Sequence, residues 1–174
     1  MILTKANWPG WVRTPKYNPF ISMKKSAGLL LYRRTKGITE YFLVHPGGPL
    51  WKNKDEGAWS IPKGEFDGEE PLAAAQREFF EETGVQATGH FEELKPVRQK
   101  SGKWVYAWSC EMDVDEKKIH SNTFPLEWPP KSGKFIEVAE VDKAGWFDAK
   151  TAKVKINPAQ MSFIQQVENK KATN

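Results

Sequence analysis

The chain has 174 residues, 39% of them hydrophobic and 13% aromatic, which is enough for one well-buried core and short for two domains. Its 26 basic and 22 acidic residues give a formal charge of +4, which suits anionic ligands but is not the composition of a dedicated nucleic-acid-binding protein. The single cysteine, Cys110, excludes an internal disulfide, and no run approaches the roughly 20 apolar residues of a membrane span. We therefore expect a cytoplasmic protein.

The first 25 residues are predicted to form an extension outside the core. The segment Met1–Lys25 has five basic residues, three prolines and no acidic residue, and it shows neither helical nor strand periodicity. If this arm is ordered, Trp8 and Trp11 are expected to pack on the domain. Residues 26–174 are then expected to form a single domain.

A pair of strands is predicted after this extension. The apolar runs Ala27–Tyr32 and Tyr41–Val44 are separated by a turn at Lys36-Gly37. A loop rich in Gly, Pro and Lys follows, over residues 45–57. Its lysines, among them Lys52, are interpreted either as solvated surface residues or as contacts for phosphate groups.

A helix of about three turns is predicted next. Pro71 suits the first helical turn, and Gly84 suits a left-handed residue that ends the helix. On a helical wheel, a mostly apolar side contains Leu72, Ala75, Gln76, Phe79 and Phe80. Three carboxylates, those of Glu78, Glu81 and Glu82, crowd onto another side beside the small Ala74.

This acidic side of the helix is unusual for a face that only meets solvent. Glu78 and Glu82 are like charges at i and i+4, which costs roughly 0.2–0.5 kcal/mol, and Arg77 is the only basic residue of the helix. A divalent cation bound against the face would offset that repulsion, because hard cations prefer carboxylate oxygens. The pattern therefore indicates a metal platform, with a solvated acidic face as the alternative.

The remainder of the chain predicts more strands and a closing helix. Two strands, Phe91–Arg98 and Lys103–Met112, flank a turn, and the second is expected inside the sheet. Residues 113–134 are predicted to be irregular, with Trp128 in a proline-rich loop where it could stack on a nucleobase. Asn157-Pro158 then begins a helix with an apolar stripe of Met161, Phe163, Ile164 and Val167.

The acidic helix resembles the signature of a known family, the Nudix (MutT-like) hydrolases. The match is the run Arg77-Glu78-Phe79-Phe80-Glu81-Glu82-Thr83-Gly84-Val85, with Glu69 at the expected distance before it. Gly64 departs from the family pattern, because four residues instead of five separate it from Glu69. The resemblance implies an α+β fold, the α/β/α Nudix sandwich with a mixed β-sheet between helices.

The resemblance also implies a metal-dependent hydrolysis. Glu78, Glu81 and Glu82, with the carbonyl group of Gly64, would hold Mg²⁺ or Mn²⁺ on a diphosphate linkage, and Arg77 would orient the carboxylates. Nudix proteins often place a further glutamate about six residues before a tryptophan of the last core strand, which here is Glu140. The water proton would go to Glu78, Glu82 or Glu140.

The segment before the helix directs the substrate prediction. The Trp-x-x-Pro-Lys-Gly pattern of residues 59–64 resembles diadenosine polyphosphate hydrolases and some MutT-like enzymes, which implies a dinucleoside polyphosphate or a nucleoside triphosphate as substrate. The substrate-binding candidates are Lys63, Lys52, Trp59 and Trp128. Two alternatives remain: a nucleotide-binding module without catalysis, and a protein that processes RNA ends with its basic N-terminal arm.

Overall fold

The computed structural model describes residues 24–173, so Trp8, Trp11 and nearly all of the predicted extension lie outside the described residues. The strands in the described part are β1 (Lys25–Thr35), β2 (Ile38–Pro46), β3 (Lys63–Glu65), β4 (Glu92–Arg98), β5 (Trp104–Glu111), β6 (Thr123–Glu127), β7 (Phe135–Ala139) and β8 (Val141–Asp148). The helices are α1 (Pro71–Thr83), α2 (Ala149–Lys155) and α3 (Met161–Thr173), with a 3₁₀ turn at Pro158–Gln160.

Most of the strands form one mixed sheet with the order β4-β5-β1-β2-β8. β1 runs parallel to β5 and antiparallel to β2, and β3 pairs with the first residues of β1. The predicted interior position of the Lys103–Met112 strand is confirmed, because β5 has β1 on one side and β4 on the other. β6 and β7 form a separate antiparallel hairpin.

The sheet is covered by helices on both faces, which confirms the α/β/α sandwich. Successive side chains of a strand point to opposite faces, so one strand feeds two cores. In β1, Leu29 and Leu31 pack with Phe79 of α1, whereas Leu30 packs with Phe163 and Ile164 of α3. The acidic helix and the closing helix are therefore on opposite faces of the sheet.

The predicted bounds of α1 are confirmed, but its predicted faces need a correction. Pro71 is in the first turn, and Gly84 ends the helix with φ +72° while its N–H donates to the carbonyl oxygen of Phe80. Phe80, expected on the apolar side, is 53% exposed, whereas Glu78 is only 8% exposed. The reason is that α1 meets the sheet through the side that carries Ala74, Ala75 and Glu78, so Phe80 turns outward.

Two elements differ from the sequence-based expectations. Residues 113–134 are not irregular throughout, because β6 lies within them and is held by its partner β7. Its sequence, Thr-Phe-Pro-Leu-Glu, contains a proline that lowers strand propensity, so the pairing and not the local sequence forms the strand. α2 was not predicted, and it begins where Asp148 Oδ1 accepts the N–H of Thr151 at 2.8 Å.

The closing helix is confirmed as a core element. Phe163, Ile164 and Val167 are buried on α3, and Asn157 caps the 3₁₀ turn that leads into it. None of the described helices is both long and apolar enough to cross a membrane.

Candidate active site

The start of α1 fixes the register of the acidic run. Glu70 caps the helix, because its side chain accepts the N–H of Ala73 at 2.9 Å. The neighbouring Glu69 points elsewhere and forms an ion pair with Arg77, with Oε2 3.0 Å from Nη2. This pairing supports alignment of the signature on the helix, with Glu69 and not Glu70 as the partner of Arg77.

Arg77 bridges three carboxylates. Its Nη1 lies 2.7 Å from Glu78 Oε1 and 3.2 Å from Glu81 Oε2, in addition to the pair with Glu69. The pKa of Arg77 is raised, chiefly by hydrogen bonds to Glu69 and against the opposing effect of its own burial. The guanidinium group therefore holds these side chains in their present orientation and balances part of their charge.

Gly64 and Glu78 are in close contact. A Cβ atom at residue 64 would overlap the carboxyl group of Glu78, so only glycine leaves room for that group. β3 carries Gly64 and pairs it with Ala27 of β1, which holds the backbone next to α1. Burial raises the pKa of Glu78, and its contacts with Arg77 oppose the shift. The structure thus gives Gly64 a steric role despite the shortened spacing.

Glu82 faces the residue before this glycine. Its Oε2 accepts the backbone N–H of Lys63 at 3.1 Å. Burial raises the pKa of Glu82 to about 8, and the charges of Glu78 and Glu140 act in the same direction, whereas Lys63 opposes them. Burial also lowers the pKa of the Lys63 ammonium group, and Glu82 opposes that shift. The Lys63 side chain is therefore electrostatically coupled to the acidic helix.

Glu140 joins the same group from a distant part of the chain. It occupies the bend between β7 and β8, and its backbone N–H and C=O groups bond to Asn122 and Gly47. Its pKa is raised by burial and then by the charge of Glu81. The charges of Glu140 and of the three carboxylates of α1 therefore influence one another's pKa values.

The residues of this site suit a divalent cation by type. Carboxylate oxygens, with a backbone carbonyl group, are the donors that Mg²⁺ and Mn²⁺ prefer. The space that a Cβ at residue 64 would fill lies directly against the Glu78 carboxylate. Within residues 24–173, however, no three acidic, histidine or cysteine side chains converge tightly enough to hold an ion as they stand. Glu78 and Glu81 are turned toward Arg77 instead, so binding a cation requires them to reorient.

The other substrate-binding candidates are further from this group. Trp59 is 7% exposed, its ring packs edge-on against Phe147, and its indole N–H donates to Asp55 at 2.7 Å. Because that packing belongs to the core on the α3 face, Trp59 offers no free ring face for a nucleobase. Trp128 closes the end of the β6–β7 hairpin that is opposite to Glu140.

Lys52 is exposed on the loop between β2 and β3, and two buried contacts fix the base of that loop. His45 is 1% exposed and its ring nitrogens lie 2.7 Å from Asp142 Oδ1 and 2.8 Å from the carbonyl oxygen of Lys54. Two residues further along the chain, the N–H of Gly47 donates to the carbonyl oxygen of Glu140 at 3.1 Å. The loop is thus attached to the backbone of Glu140.

Three residues that contribute to the site were not predicted from the sequence. Glu69 matched the family spacing but was given no role. Its position eight residues before Arg77 could have indicated the ion pair between them. Ser121 and Asn122, which contact the backbone of residues 140 and 141, had no signal at all, because they lie in a polar segment far from the signature.

The chain is similar in sequence to a domain family and to two known proteins. A family model described as the NUDIX domain matches residues 22–167. An RNA pyrophosphohydrolase of Bartonella henselae is 28% identical, over 70% of this chain and 79% of that protein. Another RNA pyrophosphohydrolase, from Brucella anthropi, is 34% identical over 51% of this chain and 55% of that protein.

The fold also resembles a solved structure. An Ap4A hydrolase of C. elegans, determined as a binary complex, aligns with a TM-score of 0.61 and 24% identity. The alignment covers 87% of this chain and 99% of that one. At this level of identity the likeness concerns the fold alone.

Proposed function

Because the chain belongs to the Nudix family, whose domain model matches residues 22–167, we propose that it is a metal-dependent pyrophosphohydrolase. Its substrate is a nucleoside polyphosphate, and it cleaves a diphosphate linkage. The observation that carries this proposal is the contact of two partly desolvated carboxylates of α1 with β3, Glu78 against Gly64 and Glu82 bonded to the Lys63 N–H, with the charge of Glu140 acting on both. Partly buried carboxylates whose charges repel each other are costly unless a cation or a proton compensates them.

The cation is Mg²⁺ or Mn²⁺ in this proposal. The carboxylates of Glu78, Glu81 and Glu82 and the carbonyl group of Gly64 would hold it, with Glu140 as a further ligand. When bound, such an ion neutralises phosphate charge and lowers the pKa of a bound water molecule. Arg77 pairs with two of these carboxylates, Glu78 and Glu81, and these contacts would have to be given up for the two side chains to coordinate the ion.

The chain's own residues supply the proton acceptor and a phosphate contact. We assign the water proton to Glu140, because Arg77 does not contact it and, unlike Glu82, its carboxylate is not bonded to the backbone N–H of Lys63. Glu78 and Glu82 are the alternatives. Lys63 donates its backbone N–H to Glu82, and its ammonium group, which interacts with the charge of Glu82, is the candidate contact for a phosphate oxygen.

The RNA pyrophosphohydrolase relatives and the Ap4A hydrolase fold define the substrate panel. The panel contains diadenosine polyphosphates, canonical and oxidised nucleoside triphosphates, sugar nucleotides, and RNA with a capped or triphosphorylated 5′ end, each with Mg²⁺ or Mn²⁺. Phosphate release is measured for the chain and for Glu82→Gln, with Glu56→Gln at an exposed loop position as the matched control. We expect turnover of at least one member and a loss of about 100-fold or more in Glu82→Gln only. Inactivity across the panel would refute the proposal.

A second candidate is a nucleotide-binding module without catalysis. The observation that favours it is that Arg77 occupies the carboxylates of Glu78 and Glu81, so that they do not converge on an ion site. Calorimetry with nucleotides in the presence of a chelator discriminates the two functions. Binding that persists without metal and is unchanged in Glu82→Gln, together with no turnover, would support this candidate.

If RNA is the substrate, we expect the basic N-terminal arm, residues 1–22, to contribute to binding. If residues 1–22 bind the RNA chain, the affinity for RNA falls steeply with salt, and removing those residues abolishes that dependence.

The proposed hydrolase is expected in the cytoplasm. The only cysteine of the sequence, Cys110, is a buried free thiol, which agrees with a reducing compartment.

A further inference from the structure

The C-terminal end of α1 is bonded to a short irregular segment, residues 120–122. The last carbonyl groups of a helix have no partner within the helix and must be satisfied elsewhere. Here the N–H of His120 donates to the carbonyl oxygen of Thr83 and the N–H of Asn122 donates to that of Glu81, both at 2.9 Å. The segment lies close to the end of the helix: a Cβ added at Gly84 would be 3.2 Å from the carbonyl oxygen of His120.

The same segment bonds on its other side to the bend that carries Glu140. The N–H of Glu140 donates to the carbonyl oxygen of Asn122 at 2.9 Å. The N–H of Val141 donates to Ser121 Oγ at 2.9 Å, and that hydroxyl group donates in turn to the Asn122 carbonyl oxygen at 2.9 Å. Two successive hydrogen bonds through Asn122 therefore connect the backbone of Glu81 with the backbone of Glu140.

We propose that Ser121 is a positioning residue for the hydrolysis, acting through Glu140. Its hydroxyl group is the only side-chain member of this connection, and it fixes both the peptide after Glu140 and the carbonyl group that holds Glu140 itself. The placement of Glu140 relative to α1 thus depends on these hydrogen bonds, in addition to the core packing of its neighbour Val141. This inference rests on the proposed function, because it needs Glu140 to act on the water or the cation.

Without the hydroxyl group, the bend loses one of its anchors, the partner of the Val141 N–H, while the bonds of Glu140 to Asn122 and Gly47 remain. Val141 is 5% exposed, so its N–H would have little access to water as a substitute partner. The bend would shift to satisfy that group, and Glu140 would move with it. A displacement of about 1 Å at a catalytic group can lower the rate by up to about 100-fold.

The kinetic test is a double-mutant cycle on the panel substrate that the chain turns over. We expect Ser121→Ala to lower kcat by about 10–100-fold with KM changed by less than about threefold. Ser121→Thr, which keeps the hydroxyl group, restores most of kcat, and Ser101→Ala, in an exposed turn, has no effect. In a Glu140→Gln background, Ser121→Ala changes kcat by less than about twofold. A kcat loss that persists undiminished in that background would overturn the proposal.

Two measurements do not depend on turnover. In the metal-free protein, Ser121→Ala should speed amide hydrogen exchange at Glu140 and Val141 by about tenfold or more, whereas Ser101→Ala should not. Mn²⁺ affinity should fall by about three- to tenfold in Ser121→Ala but not when Glu140→Gln is already present. If no panel substrate is hydrolysed, the proposed function fails while these measurements still decide the positioning role. Unchanged exchange in Ser121→Ala would refute it, whereas faster exchange with unchanged Mn²⁺ affinity would support a Glu140 that acts on the water and not on the cation.

Discussion

At the scale of single residues, Gly64 is where one added carbon would disturb the site most directly. The Cβ of Gly64→Ala would overlap the Glu78 carboxyl group, and the φ of Gly64 is not in the left-handed region. We expect at least about a 100-fold loss of activity, because Glu78 must move. Gly37→Ala is the control: its φ of +81° makes alanine cost about 1 kcal/mol of stability, but the added carbon meets no other atom. Kinetics and thermal unfolding of both variants separate the two effects. Equal activity of the two variants would contradict the steric role.

The ionised carboxylate of Glu82, which the proposed metal site needs, lowers the stability of the metal-free protein. A carboxyl group with a raised pKa in the folded state binds more protons than in the unfolded state between pH 4.5 and about 8. Stability therefore falls as the pH rises through that window, and the loss is complete above it. Glutamine at this position carries no charge, so it removes the loss. The residues that face the group are Lys63, Glu78 and Glu140.

We therefore expect Glu82→Gln to stabilise the metal-free protein by about 1–3 kcal/mol at pH 8–9 and to have little effect at pH 5. Denaturant unfolding in the presence of a chelator, at several pH values, measures this. Glu56→Gln should show no such pH dependence. A destabilised Glu82→Gln variant at pH 8–9 would show that burial does not dominate the environment of this carboxyl group.

At the scale of elements, the two adjacent glutamates just before α1 have different tasks. Glu70 caps the helix, whereas Glu69 pairs with Arg77. We expect Glu70→Ala to cost about 0.5–1 kcal/mol of stability and to keep activity within about threefold. Glu69→Ala should lower activity by about tenfold or more, because Arg77 loses one partner and its position over Glu78 and Glu81. Unfolding and kinetic measurements on both variants test this, and each serves as the control for the other. The reverse pattern would mean that the acidic run is aligned on the wrong glutamate.

At the scale of the whole molecule, the two cores on opposite faces of the sheet should have separable effects. Ile164→Ala, in the core under α3, should cost about 2–5 kcal/mol of stability without changing Mn²⁺ affinity at a temperature where the protein is folded. Phe79→Ala, under α1, should cost about 3–5 kcal/mol and also weaken Mn²⁺ binding, because it loosens the helix that carries the carboxylates.

The exposed Val154→Ala is the control and should change stability by less than about 0.5 kcal/mol. Calorimetric titration with Mn²⁺ after chelator removal gives the affinities. If Ile164→Ala weakened Mn²⁺ binding as much as Phe79→Ala, the two faces would be coupled through the sheet.

The sequence by itself determined the features that depend on neighbours in the chain. The bounds of α1 follow from Pro71 and Gly84, and the common face of its carboxylates follows from the 3.6-residue period. The paired strands β1 and β2 follow from their apolar runs, and the stripe on α3 follows from helical spacing. These patterns are local, so elementary periodicity was sufficient to predict them.

Only the tertiary structure decided the contacts between distant segments. It turned Phe80 outward and Glu78 inward, committed Trp59 to the core, and placed Gly64 against Glu78. It also connected Glu81 to Glu140 through Asn122, across a polar segment with no periodic pattern. The physical reason is that the direction of a helix face and the path of a loop depend on which surfaces and hydrogen-bonding groups they meet after folding. The acidic helix could be predicted from the sequence, but the buried surroundings that raise the pKa values of Glu78 and Glu82 could not.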